Sequence, residues 1–91
     1  MSGRALYCLG EAWLELESPA PLSSAEAFRP RVGGSAAALA LAYAALGGRA
    51  ALLGQLGEDA FGHRIADALA DAGVDVRRLC FTSRAPTPLL F

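Results

Sequence analysis

Two adjacent glycines, Gly33 and Gly34, stand directly before an uncharged run, "SAAALALAYAAL", which a second pair, Gly47-Gly48, closes. The first N–H groups of a helix have no partner within it, so such a junction attracts anions or polar hydroxyls. A residue without a side chain there also lets a ligand come close to the main chain. Upstream, Glu15 lies in the segment Trp13 to Glu17, where apolar and acidic residues alternate. A carboxylate can accept two hydroxyl hydrogen bonds. Each feature also has a purely structural reading. The glycines turn the chain, the alanines pack, and Glu15 is a solvated residue on the open face of a half-covered strand.

Other chemistries are excluded by residue type. All eight basic residues are arginine. Without a lysine, neither a GxxxxGK phosphate loop nor a Schiff base can be built. No GxGxxG occurs, so the dinucleotide fingerprint is absent. His63 is the only histidine, and nothing in the sequence supplies it with an orienting partner for a nucleophile system or with companions for a metal. Cys8 and Cys80 lie in separate apolar segments and read as two reduced, buried thiols of a cytoplasmic protein. A net charge of −1 with scattered arginines lacks the footprint of a nucleic-acid binder.

The elements that must position Gly33, Gly34 and Glu15 follow from periodicity. Ala5 to Leu9 reads as a buried strand, and Trp13 to Glu17 as a strand with one covered face. "SPAPLSSAEAF" is loop-like. The alanine-rich run is a helix, and "RAALLGQLG" is a short buried strand. "EDAFGHRIADALADAG" is an amphipathic helix with Phe61, Ile65, Leu69 and Ala72 on its apolar stripe, Asp59 as N-cap and Gly73 as stop. "VDVRRLCF" returns to strand character, and "TPLLF" opens another apolar run. Strands alternating with helices predict an α/β fold with a parallel sheet and right-handed crossovers.

The uncharged run is about a dozen residues long, against the roughly twenty that span a bilayer, so a membrane segment is not expected. A helix apolar all round calls instead for cover on more than one side. Ninety-one residues supply little for the second side.

Taken in order, "GE" at Gly10-Glu11, "GGSAAALALAYAALGG", "LLGQLGEDAFG" and "LADAGVDV" resemble the N-terminal part of the PfkB (ribokinase-like) family of carbohydrate kinases. The fructokinase and 2-keto-3-deoxygluconate kinase subgroup is the most similar. The resemblance implies a partial three-layer αβα fold with parallel central strands and part of a small β lid, over about residues 12–32. It implies that Gly33 and Gly34 approach sugar hydroxyls and that Glu15 takes the place of an acidic residue, usually aspartate, that binds them. The whole activity would transfer a phosphoryl group from ATP, with Mg2+, to a small sugar or sugar acid. Gly57, Glu58 and Asp59 would serve turn and cap rather than catalysis.

Two departures qualify that expectation. The family usually has asparagine four positions after the second glycine, where this chain has Ala38. Its catalytic Gly-Ala-Gly-Asp motif lies far toward the C-terminus, and "AGVD" at Ala72 to Asp75 only echoes it, ending a helix instead of starting one. Residues 1–91 are therefore expected to be an N-terminal fragment. The expectation is the sugar-binding side and lid, without the nucleotide-binding and catalytic half, with no catalytic or metal-binding residue and no ATP or Mg2+ contact of its own. A homodimer through the lid is a further implication. The alternative is a non-catalytic remnant or interaction module built on the same fold.

Overall fold

The computed structural model of the protein describes residues 4–91. The apolar run before Gly10 forms β1 (Leu6–Leu9), and "AALLGQLG" forms β4 (Ala50–Gly57). They pair in parallel, Leu6 with Ala50 through Leu9 with Leu53. The far side of β4 pairs in parallel with β5 (Leu79–Thr82), giving the order β1-β4-β5. As the central strand, β4 buries Ala50, Ala51 and Leu52 in succession, the continuous apolar pattern of a parallel sheet.

Two helices make the crossovers, α1 (Ser35–Ala45) from the first sheet strand to β4 and α2 (Ala60–Asp71) from β4 to β5. Right-handed crossovers taken twice in the same direction place both helices on one face of the sheet. Burial agrees with that geometry. Cys8, Leu52, Leu56 and Leu79 point into the core beneath the helices, whereas Tyr7, Leu9, Gln55 and Cys80 on the other face are exposed. The structure thus contains two layers of the three-layer arrangement, and one sheet face is bare. Cys80 corrects the expectation of two buried thiols, because it lies on that face while Cys8 is buried.

A second sheet stands beside the first. β2 (Trp13–Glu17) pairs antiparallel with β3 (Arg29–Gly33) and parallel with β6 (Leu89–Leu90), in the order β3-β2-β6. Most of this sheet comes from the segment expected to be lid-like, and it includes a strand at Arg29–Gly33 that the sequence pattern does not mark; Gly33, expected to turn the chain, closes that strand. Pro30 argues against a strand but is tolerated at a sheet edge, where its missing N–H costs no ladder bond. "VDVRRLCF" is strand only from Leu79; Asp75 makes an isolated parallel bridge to Ala51.

The helices end where glycine stops predict them, at Gly47 and Gly73, both with positive φ. In α2 the covered stripe is Gly62, Ile65 and Leu69; Phe61 and Ala72, expected on it, are exposed. The stripe is rotated because Gly62 lies close against the carbonyl of Gly57, turning the first turn inward. In α1 only Ala37 and Ala40 are fully buried, and Leu39, Tyr43 and Leu46 are exposed, so this apolar helix is covered on one side only. No helix among the described residues is long and apolar enough to cross a membrane.

Ala40 has no accessible surface, and its methyl group fills its site. Ala40→Leu is expected to lower stability by about 1–3 kcal/mol through overpacking. Leu39→Lys on the open face is expected to change it by no more than about 0.5 kcal/mol. Denaturant melts of the two variants beside the parent chain check both values.

Candidate functional site

Parallel sheets place ligands outside the carboxyl ends of their strands. At that end the chain leaves β1 through Gly10 and Glu11 into the lid, and returns from β3 through Gly33 and Gly34 into α1. The two passages cross closely. Gly34 has φ +106°, a conformation that side-chain-bearing residues rarely adopt, and a Cβ there would lie 2.5 Å from the Glu11 carbonyl oxygen. The glycine thus serves the crossing itself. It also begins α1 without a side-chain cap, leaving the first-turn N–H groups without a capping side chain.

Register puts Trp13 opposite Gly33, Glu15 opposite Arg31 and Glu17 opposite Arg29. These alternate residues share the polar face of the lid, while Leu14, Leu16 and Val32 pack toward the core from the other. On the polar face the Trp13 indole N–H donates to Glu15 Oε2 at 3.0 Å. Arg31 stands over the other carboxylate oxygen, with Nε 3.9 Å from Glu15 Oε1 and Nη1 3.5 Å from Glu17 Oε1. A Cβ on Gly33 would collide with the Trp13 and Glu15 side chains, so this glycine makes room for the pair. The Glu15 side chain is 27% exposed, half-buried and anchored where a solvated residue would be open.

The three expected residues are therefore brought together: Gly33 beneath Glu15, Gly34 at the head of α1. Ala38 is exposed on the first turn of that helix, and its N–H donates to the Gly34 carbonyl at 2.8 Å. Residue type and spacing do not mark Trp13 and Arg31 as site neighbours. The period-two pattern of β2 contains Trp13, but the partnership needs the register with β3. A cavity of about 730 Å3 opens farther out on the lid, lined by Glu17, Phe28, Arg29 and Arg31 among others. It meets the site only at Arg31; the convergence of acceptor, donor and bare backbone lies at Gly33 and Glu15.

A second polar cluster ties the lid to the body. Asp59 caps α2, accepting from the Gly62 N–H at 2.7 Å. The same carboxylate accepts from the Thr87 N–H at 2.9 Å and the Thr87 hydroxyl at 2.7 Å, and Thr87 Oγ1 accepts from the Gly57 N–H at 3.0 Å. These bonds, those from Thr87 first, hold the Asp59 carboxyl below its ordinary value. The cap role of Asp59 is as expected; Gly57, expected to serve the turn, is instead the last residue of β4, where a Cβ would strike the Asp59 carboxylate and the Thr87 nitrogen. Thr87 gave no local signal. Glu58 pairs with His63, which stacks on Phe81, so the histidine has a carboxylate partner that the sequence did not disclose. Asp75 accepts from the Arg77 guanidinium and backbone, which hold it well below the ordinary carboxylate value, and it braces the entry to β5.

Similarity to known proteins runs the length of this architecture. The profile of the pfkB family carbohydrate kinases matches residues 4–91. A probable fructokinase-2 of Arabidopsis thaliana is 43% identical over 75 residues, 82% of this chain and 23% of that protein. A 2-dehydro-3-deoxygluconokinase of Thermoproteus tenax is 35% identical over 89 residues, 96% of this chain and 27% of its own length. Among solved structures, the ATP-bound fructokinase of Xylella fastidiosa superposes with a TM-score of 0.83 at 39% identity, over 93% of this chain and 26% of that one. The chain thus spans about a quarter of the length of the relatives it matches.

Thr87 is buried, and Thr87→Val keeps its shape while leaving the Gly57 N–H unpaired. A loss of about 1–3 kcal/mol is expected in denaturant melts. Asp59 has a folded value below its unfolded value near 3.8, so its contribution is present above that pH and is lost as pH falls through the folded value. Removing the Thr87 hydroxyl bond weakens that depression. The fall of stability below about pH 4 becomes shallower in Thr87→Val than in the parent, as melts across an acid series read directly.

Proposed function

The chain belongs to the pfkB family of carbohydrate kinases, and on that premise we propose that its residues form the sugar-binding side and lid of an ATP-dependent carbohydrate kinase. The observation that carries this reading is the Glu15 carboxylate held over Gly33 at the start of α1. Glu15 accepts hydroxyl hydrogen bonds from a small sugar or sugar acid, and the backbone at Gly33 and Gly34 closes against it. Glutamate in place of the usual aspartate keeps the same acceptor chemistry on a longer stem. ATP and Mg2+ supply phosphoryl transfer in the whole activity, which depends on charge positioned around the γ-phosphate. We assign no residue of these 91 to that task, and expect no turnover from them alone. The lid's exposed Leu22, Phe28, Leu90 and Phe91 fit a homodimer contact within the same proposal.

Ala38 favours a second reading, a non-catalytic remnant or interaction module on this fold. Alanine donates and accepts nothing through its side chain, and a lost hydrogen bond to a polar ligand costs about 1 kcal/mol. Turnover assays of a protein extending past Phe91, with ATP, Mg2+ and a panel of sugars and sugar acids, separate the two. No turnover from a well-folded protein counts for the remnant. In an active protein, Glu15→Ala is expected to raise KM for the sugar on the order of tenfold or more. Ala38→Asn is expected to lower it by roughly fivefold, without disturbing the fold because the position is exposed.

A further inference from the structure

We propose that Trp13 is the positioning residue for Glu15: its indole N–H fixes the carboxylate so that Oε1 is presented to a sugar hydroxyl. The proposal rests on the sugar-binding reading of Glu15 and adds to it the group that orients the acceptor. Three observations converge. The indole N–H donates to Oε2 at 3.0 Å, committing that oxygen. Trp13 lies directly opposite Gly33, and a Cβ at Gly33 would strike both the indole nitrogen and Oε2, so the facing strand is shaped around the bonded pair. Arg31 Nε, paired with the other oxygen, is 3.9 Å away, beyond hydrogen-bond distance, so among the described residues Oε1 keeps its acceptor positions.

The need for such a residue follows from the length of the side chain. A glutamate on an open sheet face samples several rotamers and gives up that freedom when it binds a ligand. A half-buried indole spends little entropy itself and holds the carboxylate in one place before the ligand arrives. Charge assistance makes the bond worth more than a neutral one. Trp13 therefore acts on the sugar through Glu15, without needing to touch it.

Trp13 is the only tryptophan, so a nitrogen-15-labelled sample of the 91-residue chain shows a single indole N–H resonance. Glu15→Ala is expected to move that resonance upfield, and Glu15→Gln, which preserves shape, to move it less in the same direction. Fructose is the probe for binding, read at the Gly34 amide resonance. Trp13→Phe, which keeps an aromatic ring, is expected to raise the half-shifting fructose concentration on the order of tenfold. The same change in a Glu15→Ala background is expected to add nothing. An indole resonance indifferent to both Glu15 variants overturns the positioning role alone, as does an equal effect of Trp13→Phe with and without Glu15. A folded parent chain whose Gly34 amide ignores fructose overturns the sugar-binding reading itself, while the indole shift still reports the Trp13–Glu15 bond.

Discussion

Main chain lying directly on main chain is the constraint on which this structure depends. Where the lid leaves and rejoins the body, Gly34 lies against the Glu11 carbonyl, and a Cβ on Gly54 would lie 2.5 Å from the Gly10 carbonyl oxygen. No side chain fits between these passages. Their closeness sets where β2 and β3 emerge relative to the parallel sheet, and so where the polar face carrying Glu15 is held. The alanines of α1 extend the same principle. Ala37 and Ala40, without accessible surface, let the helix lie near β1 and β4, so that its first turn begins beside the crossing.

The elements built from local pattern were legible in the sequence. The period-two alternation of Trp13 to Glu17, the glycine-bounded β4 and the Asp59 cap need only neighbours along the chain. What escaped depends on partners. Pro30 hides β3 until its place at the lid's edge is known. Trp13 and Arg31 become site neighbours only through the β2–β3 register. Thr87 meets Asp59 across 28 positions, and no local signal marks it. The covered stripe of α2 is set by the approach of Gly62 to Gly57, which helical periodicity alone does not contain. Of the candidate site, Glu15, Gly33 and Gly34 were readable because a family resemblance named them. The reason Gly33 must be glycine, room for an indole and a carboxylate, was not.

The bare face of the sheet is the complement of the covered one. Tyr7, Leu9 and Cys80 line it, and Arg78 lies over the Tyr7 ring at 5.5 Å, giving that face one polar contact. Both crossovers move in the same direction, so both helices fall on the opposite side, and no helix among the described residues covers this one. The apolar outer side of α1, with Leu39, Tyr43 and Leu46, is open for the same topological reason.

The Thr87 cluster also bears on how the lid's edge is held. β6 reaches β2 only across nearly the whole chain, and Leu14 pairs with Leu89. Closing so long a loop costs more entropy than joining neighbouring strands, so two residues of ladder cannot hold it unaided. Asp59 at the head of α2 and Gly57 at the end of β4 both bond Thr87, two residues before Leu89, and so hold Leu89 and Leu90 at the lid's edge. The pairing of β6 with β2 is thus tied to the body through Thr87.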